Sequence, residues 1–136
     1  MTKNTKQVIV VRKFPNLRTG KYCSQVGHAS MAFLTKEMNP VWFGDKEKAY
    51  FRTPIIEAEE IQHWLKNSFR KICVYVNSQE ELESVHKTAL DAGLISHLVT
   101  DNGATEFNGI PTMTCCAIGP HFSHKFKDIT DHLPLL

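Results

Sequence analysis

Gln7-Val8-Ile9-Val10-Val11-Arg12 is the stretch that decides the fold. Its four central residues are all apolar and β-branched, with no polar residue alternating between them. A continuous run of this kind fits a strand buried on both faces, not one that shows a face to water. Such a strand needs a layer on either side, so the remaining chain must supply helices to both.

Working outward, three further runs read as strands, at residues 71–76, 95–100 and 112–118. Helical patterns separate the first three strands. One covers residues 21–37 and another 57–69, the latter with Ile61, Trp64 and Leu65 on one face. The third starts at Ser78, an N-cap with Glu81 three residues on, a capping box. Leu82, Val85 and Ala89 form its buried stripe, and Gly93 is placed to end it. Residues 14–20 are a loop punctuated by Pro15 and Gly20. Residues 38–54 have no clean period and read as a long excursion with Trp42, Phe43, Tyr50 and Phe51 interleaved among charges. Those aromatics either pin the excursion to the core or stack on bases. A short last helix is expected around 125–131.

The step from third to fourth strand has no helix, so one antiparallel neighbour is expected. The predicted architecture is an α/β three-layer sandwich over residues 1–136, a four-stranded mixed sheet with helices on both faces. Ligand sites in such sheets lie beyond the carboxyl ends of parallel strands. If the first and third strands run parallel, the loops holding Lys21 and Asp101 reach one edge.

Composition narrows the class. The chain has 136 residues, 42% hydrophobic and 22% charged, which suits one globular domain. No apolar run approaches the ~20 residues that cross a bilayer, and the first residues lack the apolar centre of a secretory signal. A membrane is therefore not an expected partner. Cys23, Cys73, Cys115 and Cys116 include no Cys-x-x-Cys pair, so neither zinc nor a disulfide framework is expected, and a reducing cytoplasm is the natural setting. A net charge of +2 is too small to argue for nucleic acid. Its distribution is more telling: Lys3, Lys6, Arg12, Lys13, Arg18 and Lys21 precede any acidic residue. Such a block either holds phosphates or is a solvated basic edge.

On the first helix, Lys21, Gln25, His28 and Ala32 share one narrow stripe, with residues seven apart separated by ~10.5 Å. Its flanks are apolar or small, with Cys23 on one of them. A helix wet along one thin line is otherwise packed, so the stripe reads as the wall of a cleft. No nucleophile elbow, Walker loop, dinucleotide fingerprint or His-Glu-x-x-His is present. What remains is Asp101-Asn102-Gly103-Ala104-Thr105-Glu106 with Thr112 and Thr114. Each has a plain alternative: Asp-Asn-Gly is a common turn, and His28 can be a core histidine. His121, His124 and His132, with Asp128 and Asp131, read as a polar surface helix rather than a metal site.

Together these pieces resemble the type 2 peptidyl-tRNA hydrolase family. The resemblance runs through Lys6–Arg12 of the first strand, Gly20-Lys21, Ser24-Gln25-Val26-Gly27-His28-Ala29, Asp101–Glu106, Thr112-Met113-Thr114, Ala117-Ile118-Gly119-Pro120 and the close from Ile129-Thr130 to Leu135-Leu136. It implies hydrolysis of the ester between a peptide and tRNA without metal or cofactor, by a compact α/β domain that is often dimeric. The family's active-site lysine, aspartate and threonine correspond to Lys21, Asp101 and Thr105. Gln25, His28, Thr112 and Thr114 would shape the site, while Arg12, Lys13 and Arg18 would grip tRNA phosphates without reading sequence. Three departures stand out: Phe14-Pro15 after the first strand, Gly27 where alanine is common, and a segment 107–111 one residue longer. Two other readings fit the same basic edge, a non-catalytic RNA-binding or adaptor domain and a hydrolase of a different acyl-tRNA ester.

Overall fold

The computed structural model describes residues 4–43, 48–104 and 106–136. Its main sheet has the order β4-β1-β6-β5, where β1 is Thr5–Arg12, β4 Lys71–Val76, β5 Ser96–Asp101 and β6 Thr112–Phe122. β1 pairs parallel with β4 and antiparallel with β6, and β6 pairs antiparallel with β5. β1 and β5 therefore point the same way with β6 reversed between them. The sheet is mixed, as expected.

The continuous apolar run of β1 is explained by its two faces. Val8 and Val10 join Val74, Val76, Cys116 and Ile118 under Leu82 and Ala89 of helix α3 (Gln79–Asp91). Ile9 and Val11 join Cys115 and Ala117 under Ala29 of helix α1 (Thr19–Thr35). All four are at most 1% exposed, and each such burial contributes about 1.5–3 kcal/mol. The start of α3 follows the capping signal: Ser78 Oγ accepts from the Glu81 N–H at 3.1 Å, and Glu81 reaches back to the Asn77 N–H. Gln7, buried at the start of β1, donates to the Ser30 carbonyl at 2.9 Å and ties α1 to the sheet.

Four expectations are corrected. The excursion expected over 38–54 contains a ribbon, β2 (Asn39–Phe43) against β3 (Lys48–Arg52), its residues 44–47 lying outside the described ones. Its aromatic and β-branched residues suit a pleated pair. Trp42 and Phe51 are 55% and 56% exposed, so these two do not pin it to the core. Residues 57–69 do not form one helix. A 3-10 turn, Pro54–Glu57, leads into the short α2 (Glu59–His63), and a π turn at Trp64–Ser68 closes it. The Phe69 N–H bonds back to the Trp64 carbonyl, and Trp64 packs edge-on against Phe33 at 5.7 Å. The last helix is a 3-10 turn, Ser123–Phe126, followed by turns that bury Phe126 and Ile129. Cys23 is exposed, not on a buried flank, because α1 meets the sheet through Gln25, Ala29, Ala32 and Phe33.

The C-terminal tail lies along the open side of β4, bridging Val74 to Leu135, with the Leu136 N–H on the Cys73 carbonyl. Among the described residues, no comparable segment covers β5, the opposite edge.

Candidate active site

α1 begins just past the carboxyl end of β1, and β5 ends at Asp101 on that same edge. The reversed β6 begins there, with Thr112 opposite Asp101. Three elements thus deliver side chains to one point. The loop between β1 and α1 is fixed by Tyr22, whose hydroxyl accepts from the Phe14 N–H at 2.8 Å and donates to the Phe14 carbonyl at 3.0 Å.

Asp101 is the centre. Lys21 Nζ lies 2.5 Å from its Oδ2, and Gln25 Nε2 donates to the same oxygen at 2.6 Å. The Gly103 N–H donates to Oδ1 at 2.7 Å. Lys21 and Gln25 are one helical turn apart, so both reach the carboxylate from α1. The orientation of Gln25 follows from chemistry: a carboxylate only accepts, so the amide nitrogen faces it. That leaves Gln25 Oε1 to accept from Thr114 Oγ1 at 2.8 Å. The Lys21 ammonium first, then the Gly103 N–H, hold the Asp101 carboxyl below the usual carboxylate range, although burial works the other way.

The loop after β5 wraps the site. Gly103 has φ +82°, and a side chain there would run into the backbone of Ile110. Asn102 Oδ1 accepts from the Ala104 N–H at 2.9 Å. Glu106 accepts from Arg18, Nε lying 2.7 Å from Oε1, and Phe107 packs on Phe14 with ring centres 5.0 Å apart. A pocket of about 480 Å³ opens between Arg18, Gly20, Lys21, Ser24 and Glu106.

The structure therefore brings Lys21, Gln25, Asp101 and Thr114 together. Thr105 lies outside the described residues. Thr112 turns its hydroxyl to the Ile110 carbonyl at 2.8 Å. His28 is exposed, two turns from Lys21, in a separate groove against Leu98, Val99 and Thr100. The stripe on α1 is accordingly not uniformly wet: Gln25 is 2% exposed and Ala32 3%. Of the basic block, Lys6 is bonded to Asp131 at 2.9 Å and Arg18 to Glu106. Arg12 and Lys13 lie over the rings of Phe14 and Tyr75. Burial pushes the thiols of Cys115 and Cys116 up to about 12, so neither supplies a thiolate nucleophile. No group of three His, Cys, Asp or Glu side chains among the described residues is arranged to hold a metal ion.

Two features escaped sequence reasoning. Gly103 serves as a donor to Asp101 as well as a turn residue, and Glu106 is the partner of Arg18. The only signal for the latter was a carboxylate in the Asp101 segment and the absence of acidic residues near Arg18.

The family model described as Peptidyl-tRNA hydrolase PTH2 matches residues 5–136. A relative from Methanopyrus kandleri, named peptidyl-tRNA hydrolase, is 35% identical over 132 residues, covering 96% of this chain and 97% of its own. One of the same name from Methanothermobacter thermautotrophicus is 34% identical over 133 residues, covering 96% and 99%. Among solved structures, a protein of unknown function from Agrobacterium tumefaciens strain C58 superposes with a TM-score of 0.53 at 12% identity, over 97% of each chain. That last likeness is one of fold alone.

Proposed function

The chain belongs to the PTH2 family of peptidyl-tRNA hydrolases, and from that premise we propose that it hydrolyses the ester joining a peptide or N-blocked aminoacyl group to tRNA. The reaction frees tRNA for reuse and uses no metal or cofactor. The observation that carries this reading is the contact of the Lys21 ammonium with the Asp101 carboxylate, 2.5 Å apart beside an open pocket.

Hydrolysis forms a bond from a water oxygen to the acyl carbon and breaks the bond from that carbon to the ribose oxygen. One proton must leave the water and one must join the ribose. Asp101 takes the first. Its lowered pKa makes it a weak base at rest, but as Lys21 turns toward the developing oxyanion the carboxylate loses its largest stabiliser and gains basicity. Lys21 supports that oxyanion and then gives its proton to the ribose oxygen. The amine recovers a proton from the Asp101 carboxyl across the ion pair, which restores the site. Gln25 and Thr114 hold the carboxylate in place. Thr105, through its hydroxyl, orients water or ester, a role taken from its place in the motif. Arg12, Lys13 and Arg18 grip phosphates, Arg18 exchanging Glu106 for the substrate. His28 and Thr112 contribute to the walls rather than to the carboxylate network.

The deciding experiment incubates the purified protein with N-acetyl-aminoacyl-tRNA and with the unblocked form, measuring released acyl group. Turnover of the blocked form is expected. Turnover of the unblocked form alone assigns a different acyl ester, and none of either leaves an RNA-binding module.

A further inference from the structure

Asp101 separates two unlike surfaces. On the β1 side, two strands away and about 10 Å across the sheet, are the cations Arg12 and Lys13. On the other side is the edge strand β5. A groove of about 630 Å³ runs there between α1 and β5, lined by Gly27, His28, Met31, Leu98, Val99 and Thr100. Ser24 lines both this groove and the pocket beside Lys21, so the two adjoin along α1.

Leu98, Val99 and Thr100 are consecutive, and side chains of successive strand residues point to opposite faces. Three in a row line one groove because the strand edge itself forms the wall. An edge strand presents main-chain N–H and C=O groups that invite another strand, and folds usually cover them. Here the opposite edge, β4, is covered by the chain's own tail. The edge beside Asp101 is left open among the described residues.

We propose that this groove receives the peptide of the substrate, laid as an added strand along β5 with its ester end at Asp101. The assignment rests on the peptidyl-tRNA reading above. A polyanion and a largely neutral peptide meet at the scissile ester. The basic flank suits the first, and a mostly uncharged lining with an open strand edge suits the second. From Ser24 to Lys36 the α1 wall is ~18 Å long, room for about five extended residues. Just past that wall, Glu37 Oε1 lies 3.7 Å from His97 Nε2.

The test compares kcat/KM for one tRNA carrying N-acetylated peptides of one to eight residues. We expect a rise of tenfold or more up to about five residues, then a plateau. Gly27→Leu fills the groove, since a Cβ there meets nothing within 4 Å. Met31→Asp puts a charge in it from an exposed position. Each should bring the long-to-short ratio of kcat/KM towards one while the melting temperature shows an intact fold. A wild-type enzyme indifferent to length overturns the assignment while leaving the hydrolase reading standing. So does an unaltered ratio in both variants, or a variant that changes only the sedimentation coefficient, which would mean that a second copy covers the groove. A protein inert at every length overturns the activity and this subsite with it.

Discussion

Lys21 Nζ and Asp101 Oδ2 lie 2.5 Å apart, joining the first turn of α1 to the last residue of β5. Neither group has this environment without the other, since the ammonium is the largest influence holding the carboxyl pKa down. Lys21→Ala and Asp101→Ala should each lower kcat/KM on N-acetyl-aminoacyl-tRNA by about 10²–10³-fold. Circular dichroism should report an unchanged fold. Full activity in either variant removes that residue from the mechanism.

The acid side of the pH profile follows from the same contact. A carboxylate whose folded pKa is depressed contributes stability that is present above its unfolded value of about 3.9. That contribution is lost as pH falls through the lower folded value. Asp101 should therefore stay ionised, and activity that needs it persist, somewhat below pH 4, while its stabilising contribution declines from about pH 4 downward. In Lys21→Met the acidic limb of kcat/KM should move upward. An unmoved limb in that variant would assign it to another group.

Gln25 and Thr114 can be separated by a double-mutant cycle. Gln25→Leu takes the shorter of two acceptors from the buried Thr114 hydroxyl, leaving the Val99 carbonyl at 3.3 Å, and removes a donor from Asp101. It should destabilise by about 1–3 kcal/mol. Thr114→Val removes the other end of the same bond. The double variant should lose clearly less than the sum of the two, by urea denaturation. Strict additivity would mean that the two side chains do not act together.

Gly103 cannot be replaced cheaply. Its φ of +82° and the Ile110 backbone against it both exclude a side chain. Gly103→Ala should displace the loop, cost the Asp101 carboxylate its backbone donor and lower both activity and melting temperature. Gly93→Ala serves as the control: φ is +81° there too, but nothing crowds the added carbon. Equal activity losses in the two variants would reduce the effect to backbone strain.

Binding of tRNA should weaken with salt, the logarithmic slope reporting the phosphates engaged. Arg12→Ala, Lys13→Ala and Arg18→Ala should each reduce that slope by about one or less, and Arg18→Ala least, because Glu106 already occupies its guanidinium. Filter binding at several salt concentrations measures this. A slope that none of the three changes would place the phosphates elsewhere.

Much of the architecture was legible from local chemistry. Val8 to Val11 announced a strand covered on both faces, and Ser78 with Glu81 marked where α3 starts. The β2–β3 ribbon was not, because its apolar runs, 41–43 and 49–51, are only three residues long and show no clean period. Nor was the burial of Gln25, which on a helical wheel is simply another polar residue on a thin stripe. It is buried because an acceptor and a donor from two strands meet it.

By itself, the sequence determined the four strands of the main sheet, the helices α1 and α3 and the two buried faces of β1, because periodicity and capping act between residues a few positions apart. The tertiary structure alone decided that the expected antiparallel strand, β6, lies between β1 and β5. That arrangement brings an amine and a carboxylate from distant segments to one edge, leaves β5 at an edge that no described segment covers, and sends His28 to the groove instead of the carboxylate. Such outcomes depend on strand order and direction, which arise from long-range pairing that no local pattern encodes.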